Sequence, residues 1–224
     1  MKKSTIASIV LLALLILPGC QTLTKPGLTL VNNESLANYE KSLVLFSIDS
    51  SNSISNGHTP RVGQIVLEDK STKQLYKFQP GQHKKGAGVV SPDGKSLNNQ
   101  ICLASMELEP GTYRIKQITG TSFAILTVGN FSFNFKYDFE VKSGQKVYLG
   151  RLKMMLRKKI NKEEQSAGGV FPLIDQAASG YGSGTFEYSW TDNNAEDMAL
   201  YKETYPITET ITFEDISQNV TEGM

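Results

Sequence analysis

The 224-residue chain carries 23 lysines and arginines against 22 aspartates and glutamates, a formal net charge of +1. So even a balance gives no whole-molecule field for drawing in nucleic acid. The length allows one domain, or one domain with an elaborated loop region. With two histidines and two cysteines, none at metal-ligand spacing, the chain offers no sequence signature of a zinc site, and no cofactor is expected.

Lys2 and Lys3 precede a run from Thr5 to Leu17 that is almost wholly apolar and uncharged. As a helix this run would rise about 20 Å, short of the roughly 20 residues that a membrane span requires, and its length fits a secretory h-region. The run ends Leu17-Pro18-Gly19-Cys20, which resembles the bacterial lipobox. That resemblance implies removal of residues 1–19 by cleavage after Gly19, a diacylglycerol on the Cys20 thiol and, because Gln21 rather than Asp follows, an outer-membrane address in a cell with two membranes; the domain is expected to face the periplasm. Pro18 departs from the small or β-branched residue usual at its position. One acyl chain holds a protein only marginally, whereas two or three on Cys20 would hold it stably. Cys102 would then be the sole thiol, and its apolar context Ile101-Cys-Leu-Ala104 marks it as a core residue.

After the anchor, residues 20–40 read as a lipidated tether, with Pro26-Gly27 as a breaker at the end of Gln21 to Gly27. Leu28–Val31 is a candidate first strand, and Ser35–Lys41 is compatible with a helical turn. The domain proper spans 41–215. Lys41–Ile48 is a strand, and Arg61–Glu68 with Gln74–Phe78 forms a hairpin. His58 and His83 are expected in polar loops, His83 within a long loop from Pro80 to Gln100. Ile101–Leu108 is a strand, Glu109-Pro-Gly-Thr112 a type II turn needing positive φ at Gly111, and Thr112–Ile118 the next strand. Ser122–Val128 is a further candidate.

The strongest signal runs from Asn130 to Lys142. There Phe131, Phe133, Phe135, Tyr137, Phe139 and Val141 alternate with polar residues, which predicts one buried and one wet face. Lys142–Gln145 turns the chain, and Val147 and Leu149 continue the alternation. The apolar phase then slips to Leu152, Met154 and Leu156, which a β-bulge at Gly150-Arg151 would absorb.

The segments Leu108-Glu-Pro-Gly-Thr-Tyr-Arg-Ile115 and Phe139-Glu-Val-Lys-Ser-Gly-Gln-Lys-Val-Tyr-Leu-Gly150 resemble the core of transthyretin-like, carboxypeptidase-regulatory-like domains over roughly residues 41–157. That family implies an antiparallel Ig-like β-sandwich, usually non-catalytic. The many short strands with turn signals agree with a mainly β fold.

Arg151, Lys153, Arg157, Lys158, Lys159 and Lys162 make a basic stretch. It reads either as a solvated strand end whose lysines discourage edge pairing or as a contact for an anionic envelope surface or acidic partner. Ser166–Gly184 is a second long loop with an apolar island, Val170–Ile174. Thr185–Trp190 is a strand. Asp192–Tyr205 is a short helix, with Asn193 and Glu196 spaced as a capping box. It is expected to cover one opening between the sheets. Ile207–Phe213 is a final edge strand, and 216–224 a polar tail. The reading is a lipid-anchored, non-catalytic binding or scaffolding domain of the cell envelope that does not bind nucleic acid. An envelope hydrolase using one of the two histidines, and a surface lipoprotein contacting a host or neighbouring cell, remain open.

Overall fold

The computed structural model describes residues 23–25, 42–124, 127–171, 179–204 and 214–215. The leader, Gly19, Cys20, most of the tether, Leu28–Val31, the Ile207–Phe213 strand and the tail lie outside these residues. The described chain is mainly β, with one helix of eleven residues, α1 (Asn194–Thr204).

Two six-stranded sheets carry the fold. The first places β1 (Leu23–Lys25), β4 (Leu75–Phe78), β3 (Arg61–Asp69), β9 (Gly111–Ala124), β10 (Thr127–Val141) and β12 (Gly168–Phe171) side by side. The second runs β13 (Gly184–Thr191), β11 (Lys146–Lys158), β2 (Ser42–Asn52), β8 (Asn99–Leu108) and β5 (Gln82–Lys85), with β14 (Glu214–Asp215) beside β11. A small hairpin joins β6 (Val89–Val90) to β7 (Ser96–Leu97). Most pairings are antiparallel; β2 with β11, β1 with β4 and β14 with β11 are parallel.

The core follows from period-two alternation. The six alternating apolar residues of β10 from Phe131 to Val141 are buried, while Asn134, Lys136, Asp138 and Glu140 are exposed. They face Val44, Phe46 and Ile48 of β2, Cys102, Ala104 and Met106 of β8, and Leu152, Met154 and Leu156 of β11 in one cluster. Ring pairs lock the two sheets together, with Tyr137 stacked on Trp190 at 4.3 Å and Phe133 edge-on to Phe186 at 5.6 Å. Each such aromatic side chain taken from water contributes about 1.5–3 kcal/mol before chain entropy is counted.

The expected bulge at Gly150 is present. Tyr148 pairs with Leu45 and Arg151 with Ser47, so two residues of β11 face one of β2, and Gly150 has φ +102°. Leu149 and Leu152 thereby both reach the core. The β3–β4 hairpin also forms as the sequence indicates.

Other expectations need correction. Gly111 does not adopt positive φ; it already belongs to β9, paired with Val141, so no type II turn forms there. The left-handed glycine sits instead at Gly144 (φ +67°), where the Gln145 amide bonds the Lys142 carbonyl. Ser122–Ala124 and Thr127–Val128 belong to the paired strands β9 and β10 rather than to one separate strand. The polar Thr119-Gly-Thr121 segment hides the continuity of β9. Gly120 is required there because a Cβ would lie 2.1 Å from the Arg61 carbonyl and 2.7 Å from the Phe131 ring. Leu23–Lys25 is not free tether but pairs with the edge of β4.

The stretches 80–100 and 166–184 are not structureless either; they hold β5, β6, β7 and β12. Helix α1 does not close an opening between the sheets. Met198, Leu200 and Tyr201 pack on the outer face of the second sheet, against Leu43, Leu45, Ile101, Leu103 and Tyr148. The Tyr201 hydroxyl donates to the Ala104 carbonyl (2.6 Å).

Candidate ligand-binding cleft

The outer face of β2 reads Leu43, Leu45, Ser47, Asp49, Ser51. The first two lie under α1; beyond the helix the face turns polar. At the boundary, Asp197 is fully buried in the first turn of α1. Its Oδ2 accepts from the Ser47 hydroxyl (2.5 Å) and the Tyr148 hydroxyl (2.5 Å). Its Oδ1 accepts from Arg151 Nε (3.0 Å) and also pairs with Nη2. Burial and the neighbouring carboxylate push the Tyr148 phenol well above its ordinary range. A carboxylate with this many donors is a satisfied buried charge, which fixes the helix to the sheet.

Past this pair opens a cleft of about 480 Å³, lined by Asp49, Asn99, Lys153, Met155, Glu187 and Glu196 among others. Its volume falls within the range of small-molecule sites. The segment from Ala87 to Pro92, which contains β6, forms one wall. Asn99 holds that wall. Its amide donates to Asp49 Oδ1 (2.6 Å), its own carbonyl oxygen accepts from the Gly88 amide (2.8 Å), and its backbone carbonyl accepts from Gly86 (3.0 Å). Asn56 braces the far side of the β6–β7 hairpin through Ser96 and Asn98.

Asp49 is 7% exposed. Burial raises its pKa, opposed by the Asn99 hydrogen bond and by the charges of Arg151 and Lys153. Lys153 lies directly across from it on β11 and is exposed. Its ammonium has no hydrogen bond or ion pair among the described residues. Arg151 lines the cleft but is already committed to Asp197 and, through Nη1, to Glu196 (3.1 Å). A second depression, on β3, β9 and β10, is lined by Lys116, which pairs with Glu68 (2.7 Å), by Arg114, which pairs with Asp138 (2.5 Å), and by Lys136.

The basic stretch is thus divided by the fold. Arg151 is buried in an ion pair, and Arg157 is held by Glu164 (2.7 Å) and Glu187 (3.0 Å). Lys159 donates to Ser166 (2.6 Å). Lys158 and Lys162 are exposed beyond the cleft, and Lys153 borders it. Asn193 supplies the carbonyl that begins α1 (Asp197 amide, 2.9 Å), but the expected box with Glu196 is closed between side chains (3.3 Å).

Neither histidine is a solvated loop residue. His58 is buried between the Ser122 hydroxyl (Nδ1, 3.3 Å) and the Thr127 hydroxyl (Nε2, 3.1 Å), with its carbonyl accepting from Asn52 and Tyr181. His83 lies on β5 opposite Cys102, where burial and the Arg61 charge lower its pKa. Cys102 is buried, and desolvation pushes its thiol far above the usual range. No group of three His, Cys, Asp or Glu residues suited to a metal occurs among the described residues, and no helix among them is long and apolar enough to cross a membrane.

Asp49, Asn99 and Asp197 are the site residues that the sequence motifs miss. The one available signal is the change along the outer face of β2, where apolar Leu43 and Leu45 give way to Ser47, Asp49 and Ser51 at the same period. No family model and no curated protein matches the chain. Among solved structures, a leucine-rich repeat protein from Bacteroides thetaiotaomicron is similar at 12% identity and a TM-score of 0.33, covering 56% of this chain and 18% of that one. This chain therefore spans less than a fifth of that protein's length, and the likeness carries no argument about fold or function.

Proposed function

We propose that the protein is a lipid-anchored, non-catalytic binding domain of the bacterial cell envelope, tethered through Cys20 to the outer membrane and facing the periplasm. The observation that carries the reading is the lipobox-like end of the leader, Leu17-Pro-Gly-Cys20, behind a charged n-region and a short apolar run. Its contact surface is the cleft beside Asp49 and Lys153, with an envelope protein or an anionic envelope surface meeting Lys158 and Lys162.

The folded body is an Ig-like, transthyretin-like sandwich in this reading. Two features support it. Chain crossings at Glu109-Pro110 and at Lys142–Gln145 pass from one sheet to the other. At the first of them the Tyr113 hydroxyl bonds back to the Glu109 carbonyl (2.9 Å), in the manner of a tyrosine corner.

Metabolic labelling with a clickable fatty acid tests the anchor. Wild-type protein should take up label and begin at Cys20, and Cys20→Ala should remain an unlabelled precursor. An intact leader or a bare Cys20 on wild-type protein overturns the reading. A photo-crosslinking amino acid at Val90, beside the cleft, should trap a reproducible envelope partner in cells, and recovery of the protein alone would count against a binding role.

A further inference from the structure

The cleft confronts a ligand with two opposite charges at one level of the sheet. Asp49 and Lys153 are register partners on adjacent strands, β2 and β11. Neighbouring strands are about 4.8 Å apart. The Asp49 carboxylate is more than nine-tenths buried, and of its two oxygens the one that Asn99 engages is Oδ1. Lys153 offers three ammonium donors. The other charged groups at the rim already hold partners: Glu187 is bound by Arg157 and Glu196 by Arg151. The cleft is also lined by apolar surfaces from Val89, Val90, Pro92, Ile101 and Met155.

Resting on the binding role proposed above, we propose that the cleft binds a small zwitterion of the α-amino acid type, with its ammonium on Asp49, its carboxylate on Lys153 and an apolar side chain against Val89 and Met155. An α-amino acid carries both charges on a single carbon, which matches two groups on neighbouring strands. A cleft of about 480 Å³ accommodates such a molecule with room for a branched side chain. The wall formed by Ala87–Pro92 is coupled to the same site, because Asn99 bridges Asp49 and the Gly88 amide.

Calorimetric titration of the full-length mature protein in detergent tests this with four probes. Leucine is the ligand. Isoamylamine lacks its carboxylate, 4-methylpentanoate lacks its ammonium, and O-phosphoethanolamine presents the zwitterion of a phospholipid head. Leucine should bind saturably, and each half-molecule should bind about tenfold or more weakly, the loss expected for one charged hydrogen-bonded contact. Lys153→Met should bring leucine to the level of isoamylamine; this residue is exposed, so the variant keeps the fold. Asp49→Asn should bring it to the level of 4-methylpentanoate.

Absence of saturable leucine binding overturns the proposal, as do half-molecules that bind as well as leucine. Tighter binding of O-phosphoethanolamine overturns the amino-acid assignment in favour of a lipid head. Crosslinking from Val90 separates the two readings: a trapped partner without leucine binding removes the ligand class and leaves the binding role standing.

Discussion

Tyr148 and Arg151 reach the same carboxylate, that of Asp197, from positions that an uninterrupted strand would place on opposite faces. The bulge between them makes the meeting possible. It turns one residue through positive φ at Gly150, so that Leu149 and Leu152 both face inward while Tyr148 and Arg151 both face the helix. Gly150→Ala should therefore cost about 1–3 kcal/mol, the range for a non-glycine residue held at positive φ. In a domain of this size each kcal/mol lowers Tm by about 2–4 °C. Thermal unfolding checks it, and an unchanged Tm would show that the bulge tolerates a side chain.

The Arg151–Asp197 pair should be strongly coupled. Removing one partner leaves a buried charge uncompensated, which costs about 3–5 kcal/mol, whereas replacing both by apolar residues of similar volume is far less costly. Arg151→Met and Asp197→Leu are each expected to destabilise severely, with the double variant losing far less than the sum of the two. Denaturant unfolding of all four proteins gives the coupling energy. Additive losses would mean that the pair is held independently by Ser47, Tyr148 and Glu196.

Cys102 should be chemically silent until the domain opens. Its side chain is 1% exposed between β2 and β5, and desolvation keeps the proton on sulfur. A thiol reagent added to native Cys20→Ala protein should react negligibly over the time in which unfolded protein reacts completely. Rapid native labelling would place Cys102 at a mobile edge.

The parts of this architecture legible in sequence are those whose physics is local. The alternation from Phe131 to Val141 specifies a strand with one dry face, and the phase slip after Leu149 specifies a bulge because a strand has no other way to keep Leu152 inward. What escapes is held by contacts between distant residues. The segment 80–100 has no period because its short strands are tied by Asn99, Asn56 and Asp49 to backbone and side-chain partners. Pro110-Gly111 suggests a turn from residue type alone, but pairing of Gly111 with Val141 draws that glycine into β9. Asp197 looks like an ordinary acidic residue favouring a helix N-terminus. Only the docking of α1 on β2 and β11, residues 150 positions away from it among them, turns it into the anchor of the site.

Asp49 supplies a pH test with a defined sign. Burial raises its pKa in the folded protein above the unfolded value, despite the Asn99 hydrogen bond and the nearby Arg151 and Lys153 charges. The folded state then binds this proton more tightly than the unfolded chain. Its stabilising contribution is fully present below the unfolded carboxylate pKa, about 3.9, and is lost as pH rises through the folded value. Asp49→Asn cannot ionise, and its amide oxygen can still accept from Asn99. The variant should match wild type at the acid end and exceed it in Tm above the folded pKa, with the difference opening across that window and then levelling. A variant that is less stable at neutral pH would show that the ionised carboxylate is fully compensated by Lys153 and Arg151, and that the cleft has no need of a ligand's ammonium.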